Sequence, residues 1–183
     1  MLRSLLLIVV ALLHLAVGPA HAAEADTGIV LLHGKRDKPP TRVQPLARQL
    51  QGAGYRVATP DMPWSGLRDY DAAYPQALAQ IEAAAQSLRD QGATRIVIVG
   101  QSFGGNGALA YAASGRAVDA IAVLSPGHTP ERDAFRQAVA GSVDQARAMQ
   151  SAGHGTDKAW FDDRNQGKAR TVRTTADIYL SYF

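Results

Sequence analysis

The stretch Arg95-Ile-Val-Ile-Val-Gly-Gln-Ser-Phe-Gly-Gly105 sets the architecture of this chain. Residues 95–99 are a run of β-branched apolar side chains behind one arginine. The run is continuous rather than alternating, as expected for a strand covered on both faces in a parallel sheet. Three glycines then bracket a serine at 102, and residues 106–114 read as a helix. A buried strand, a tight turn and a helix in so few residues form a strand-to-helix junction of an α/β fold.

Reading outward from this junction, the same alternation repeats. Residues 28–33 (Gly-Ile-Val-Leu-Leu-His) are a second buried strand. Val43, Leu46, Ala47 and Leu50 recur at helical spacing over residues 41–50, and Gly52 and Gly54 stop that helix. Residues 55–59 are a strand ended by Pro60, and 60–66 a loop. Residues 74–91 form the longest amphipathic helix, with Ala77, Leu78, Ile81, Ala84, Ala85 and Leu88 on one face. Residues 118–124 are a fourth strand. Short right-handed connections then give an α/β domain, a mainly parallel sheet with helices on both faces, over residues 23–183. Farther on, 133–150 read as a helix and 153–165 as a loop. Residues 171–183, with Ile178, Tyr179, Leu180, Tyr182 and Phe183, read as the approach to a further strand.

Composition narrows the classes. Of 183 residues, 46% are hydrophobic and 19% charged, enough apolar material for a core, so disorder is excluded. Lys+Arg 19 against Asp+Glu 16 is too balanced for a strongly basic nucleic-acid binder. The absence of cysteine excludes a disulfide scaffold and a cysteine-ligated metal. Residues 1–22 carry Arg3, an apolar run over 5–17 and Gly18-Pro19-Ala20-His21-Ala22. This is the pattern of a signal peptide cut after Ala22, which places the protein in the periplasm or outside the cell. The alternative is an uncleaved anchor, but the run is shorter than the roughly 20 residues a membrane-spanning helix needs. No stable membrane span is expected after cleavage.

Gly100-Gln101-Ser102-Phe103-Gly104 carries the chemistry. A serine on a sharp strand-to-helix turn presents its hydroxyl clear of the backbone. The glycines at 100 and 104 leave room for the chain to pass close to itself. The following helix points its N–H groups at the same spot, which favours developing negative charge. The alternative is a glycine-rich turn that binds phosphate or a nucleotide. However, the spacing is not Gly-x-Gly-x-x-Gly, and no Gly-Lys-Ser/Thr follows.

With His33-Gly34-Lys35 closing the first strand, residues 28–130 resemble the α/β-hydrolase superfamily. Thr59-Pro-Asp-Met-Pro-Trp64 is similar to its loop after the next strand, and Val123-Leu-Ser-Pro-Gly-His128 to its strand after the elbow. The resemblance implies Ser102 as nucleophile, with an oxyanion hole formed by the main-chain N–H groups of Lys35 and Phe103. It also implies that His33 holds the oxyanion loop, with Gly34, Gly100 and Gly104 in support. Because the donors are backbone groups, side-chain identity at 35 and 103 is expected to be nearly free.

A serine needs a base. The superfamily order is Ser, then acid, then His. Only one convincing strand follows Ser102, so the positions for acid and histidine are expected to be absent, with the last strands of the sheet missing at the C-terminus. The downstream histidines are His128 and His154. Each is a candidate base, and each is also readable as a loop histidine. Asp157, Asp162 and Asp163 read as a solvated loop in preference to a metal site, and Lys168, Arg170 and Arg173 as a solvated face. Met62 and Trp64 either line an acyl pocket or pack in the core. The function expected is a serine hydrolase acting on an ester or related small-molecule acyl substrate, with no cofactor, metal or nucleic acid. The alternative is a catalytically incomplete fragment or a non-catalytic binding module of the same fold.

Overall fold

The computed structural model describes residues 24–39 and 41–183. The signal-peptide reading of residues 1–22 lies outside the described residues. In chain order the elements are β1 (Thr27–Leu32), α1 (Gln44–Gly52), β2 (Arg56–Ala58), α2 (Tyr74–Asp90), β3 (Arg95–Gln101), α3 (Phe103–Ala113) and β4 (Ala120–Leu124). After β4 come α4 (Asp133–Ser151), β5 (Lys158–Asn165), β6 (Lys168–Thr175) and α5 (Ala176–Leu180). The first four strands form one parallel sheet in the order β2-β1-β3-β4. None of the described helices is long and apolar enough to cross a membrane.

β1 is buried at all six positions because it lies between β2 and β3 and both its faces are covered. On one face Leu31 packs with Val43 and Ala47 beside α1. On the other, Val30 and Leu32 join Ile81, Ala85 and Leu88 of α2 and Ala108 and Tyr111 of α3. The chain leaves β1 toward one edge and returns after β2 to lay β3 on the other side. The loops following β1 and β3 therefore diverge, and between them opens the crevice where ligands of such sheets bind.

α3 starts at Phe103, three residues before its expected start, because Ser102 is itself the residue before the first helical turn. The edge strand β4 is thinly covered. Ala120, Ala122 and Leu124 are exposed, Leu124 at 49%, beside half-buried Val97 and Val99 on β3.

The C-terminal part differs from expectation. Residues 153–165 are not a loop, since 158–165 is β5, paired antiparallel with β6 in a separate two-stranded sheet. Residues 171–183 do not approach a further parallel strand, since they complete β6 and form α5. The turn between β5 and β6 is Gln166-Gly167, with φ of 52° and 73°. Positive φ at both positions is the hairpin geometry that matches strand twist. Phe161, Asp163, Val172 and Thr174 point inward, whereas Lys168, Arg170 and Arg173 are exposed as expected. Phe161 stacks on Tyr179 at 4.5 Å, tying hairpin and α5 to the core.

Candidate active site

Ser102 stands between β3 and α3 at φ 54°, ψ −120°. For a non-glycine residue this costs on the order of 1–3 kcal/mol, and it persists only where the surroundings enforce it. The Ser102 N–H donates to the Leu124 carbonyl at 2.8 Å, and the Ser102 carbonyl accepts from Gly105 N–H at 2.9 Å. The glycines make the turn possible. A Cβ on Gly100 would overlap the Gly104 carbonyl, and one on Gly104 would lie 2.7 Å from the His33 carbonyl oxygen. The first turn of α3 is thus pressed against the end of β1, where the His33-Gly34-Lys35 loop begins. A Cβ on Gly34 would lie 3.3 Å from Ser102 Cβ, so loop and elbow touch. The amides of Lys35 and Phe103 donate to no acceptor among the described residues.

His33 is buried and joins two loops. Its Nε2 accepts from Met62 N–H at 3.0 Å, which puts the ring proton on Nδ1, 2.8 Å from the Gly34 carbonyl. Its own carbonyl accepts from Trp64 Nε1 at 3.0 Å. Burial lowers the His33 pKa. Trp64 and Met62 are fully buried, and Trp64 packs edge-on to Phe103 at 4.9 Å. The acyl-pocket alternative for these two residues is therefore replaced by a core role, because their side chains fill the space behind the elbow.

The side chain at 35 is far from free. Lys35 Nζ donates to Asp163 Oδ1 at 2.7 Å and to the Arg164 carbonyl at 3.0 Å, with His128 Nδ1 at 3.5 Å. The Lys35 and Asp163 side chains are only 5% and 3% exposed. Burial lowers the Lys35 pKa, opposed by the Asp163 carboxylate. Asp163 is therefore no solvated loop residue, and the described residues contain no cluster able to hold a metal. The alternation of Phe161 and Asp163 on β5 was the one local signal for the inward carboxylate.

His128 Nε2 lies 2.9 Å from the Tyr182 carbonyl, so both its ring nitrogens face partners other than Ser102. Burial, reinforced by Lys35, lowers its pKa to about 4, against the pull of Asp163 and Glu131. Asn106 staples the loop of His128 to α3. Its Oδ1 accepts from Gly127 and His128 N–H, and its Nδ2 donates to the His128 carbonyl. His154 is exposed and pairs with Asp157 at 2.8 Å. Among the described residues, no side chain hydrogen-bonds Ser102 Oγ.

The lowered pKa of His128 predicts a pH dependence. The unfolded chain takes up the proton near pH 6.5 and the folded chain only near 4, so the unfolded state binds more protons between these values. Stability then rises with pH across this window and is lost as pH falls from 6.5 toward 4, with a limiting slope of about 1.4 kcal/mol per pH unit. Urea unfolding across this range should show the decline, and His128→Gln should reduce its slope, leaving the part that the lowered pKa of His33 contributes. Identical profiles for the two proteins would contradict the assignment.

The model of the alpha/beta hydrolase family matches residues 29–182. Among solved structures, similarity is found to one of the metagenome-derived lipolytic enzymes LipS and LipT, at 22% identity and TM-score 0.53, covering 62% of this chain and 47% of that one. The monoacylglycerol lipase of Paleococcus ferrophilus matches at 20% identity and TM-score 0.57, covering 85% of this chain and 63% of that one. A protein of Agrobacterium vitis S4 matches at 17% identity and TM-score 0.57, covering 87% and 62%. At these identities the likeness is one of fold, and the chain spans less than two-thirds of the length of each. No curated protein sequence matches it.

Proposed function

The chain belongs to the alpha/beta hydrolase family, and from that premise we propose a serine hydrolase that cleaves esters or related acyl substrates with Ser102 as nucleophile. One observation carries the reading. Ser102 is held in a strained elbow against the loop of Gly34, and the amides of Lys35 and Phe103 donate to no acceptor among the described residues. Ser102 Oγ attacks the carbonyl carbon while a base takes its proton. The carbonyl oxygen becomes an oxyanion and accepts from the two amides, each worth about 10²–10³ in rate. Collapse expels the alcohol and leaves an acyl-serine that water hydrolyses.

The nitrogens of His33 and His128 are engaged elsewhere and His154 bonds Asp157, so this reading assigns base and acid to polypeptide outside the described residues. The pattern of residues 1–22 supports work in the periplasm or outside the cell. A second reading, a non-catalytic binding module, draws support from the lack of a described base at Ser102. A fluorophosphonate probe separates the two on protein purified from its native source. Covalent labelling that Ser102→Ala abolishes is the expected result. Unlabelled protein, or equal labelling of the variant, would leave the binding module standing instead.

A further inference from the structure

Beside Ser102 lies an open cleft of about 430 Å³. It is bounded by Gly127 and Thr129 after β4, by Arg132 and Phe135 at the start of α4, and by Arg164 and Gln166 at the hairpin turn. Its link to the elbow is direct, since a Cβ on Gly127 would lie 3.3 Å from Ser102 Oγ. A group bonded to a carbonyl at Ser102 would pass Gly127 into this space. No acidic residue lines the cleft, while Arg132 and Arg164 do.

Neither arginine forms an ion pair among the described residues, in contrast to Arg36, Arg42, Arg68, Arg89 and Arg136. Two neighbouring carboxylates have other partners, and Glu131, the other neighbour of Arg132, faces different cavities and does not line this cleft. Asp163, next to Arg164, is held by Lys35, and Asp133, next to Arg132, is held by Arg136. Lys35 also binds the Arg164 carbonyl, which fixes that backbone and leaves the guanidinium for the cleft. A guanidinium matches a carboxylate or phosphate with two parallel donors. Phe135 offers the cleft an apolar wall.

We propose that this cleft selects acyl substrates carrying a carboxylate or phosphate group, with Arg132 and Arg164 as specificity-determining residues. The proposal rests on the serine-hydrolase reading for the word substrate, but its test needs no catalysis. The Ser102→Ala protein is titrated with 4-acetoxybenzoate and with its uncharged methyl ester, which share the same reacting ester. The anion is expected to bind about tenfold more tightly, a ratio worth about 1.4 kcal/mol. The preference should vanish in Arg132→Gln/Arg164→Gln, persist in Arg132→Lys/Arg164→Lys, and shrink in high salt.

Equal affinity for the two probes, no binding of either, or a preference retained by the glutamine variant would overturn the proposal. If the glutamine variant fails to fold, the salt titration decides, since a preference unchanged at 1 M NaCl would also overturn it. Loss of fluorophosphonate labelling with the anion preference intact would sink the hydrolase reading alone. Labelling without the preference would sink only this inference.

Discussion

Lys35→Met is expected to lower the unfolding free energy by about 3–5 kcal/mol, the cost of leaving one member of a buried ion pair without its partner. Asp163 is buried between the hairpin and the loop after β1, and the Lys35 ammonium is its near partner at 2.7 Å. The remaining contact, Tyr70 Oη at 3.5 Å, is too long to replace it. Methionine keeps the length of the lysine stem and removes the ammonium, which lies 5.3 Å from the centre of the Phe103 ring. The loss is therefore one of charge rather than volume. A pair removed as a unit behaves differently, because the desolvation of both ions is then relieved. Lys35→Met/Asp163→Leu is accordingly expected to recover most of the stability. Urea denaturation of the single and double variants checks this. A single variant within about 1 kcal/mol of the parent would mean that water reaches Asp163 and that the pair is no anchor.

Gly100→Ala should be more damaging still. The added methyl would fall on the backbone of Gly104 and Gly105, and no flexible side chain is there to yield. The turn would have to open, which moves Ser102 away from the Gly34 loop and breaks the bond from its N–H to the Leu124 carbonyl. Losses above about 4–5 kcal/mol arise from such backbone overlaps and are rare for a single substitution. The expected result is protein that unfolds at room temperature or shows no labelling with a serine-directed probe. Gly141→Ala on α4 is the internal control. A Cβ there meets nothing within 4 Å, so helix propensity alone applies, and a gain of about 0.5–1 kcal/mol is expected. Comparable thermal unfolding of the two variants would contradict the elbow geometry.

The parts of the fold legible in the sequence are those whose cause is local. β1 and β3 announce themselves because burial on both faces demands an unbroken apolar run. The elbow announces itself because the close passage of Gly100 past Gly104 tolerates no side chain. α2 is legible from its period, since Ala77, Ile81, Ala85 and Leu88 are buried as their spacing requires. β5 and β6 were hidden for the opposite reason. Their inward residues include Asp163 and Thr174, polar groups that look solvated until their distant partners are known. The partner of Asp163 is Lys35, 128 positions upstream, and Thr174 donates to the Tyr70 carbonyl. No window of sequence contains both ends of such a pair. The Gln166-Gly167 turn was the one local clue to the hairpin.

The same asymmetry holds at the site. The glycines at 100 and 104 were readable because the close approach of backbone there fixes residue type. The role of the Lys35 side chain was not, because a backbone donor says nothing about what its side chain reaches. His128 looked like a possible base from its place after β4. Its two nitrogens are instead spent on Tyr182 and Lys35, contacts made by residues far along the chain.

The structure of the fluorophosphonate adduct tests the central claim most directly. The account predicts phosphorus bonded to Ser102 Oγ, with the phosphoryl oxygen within about 3 Å of the amide nitrogens of both Lys35 and Phe103. An adduct on another residue, or a phosphoryl oxygen turned away from both amides, would contradict it.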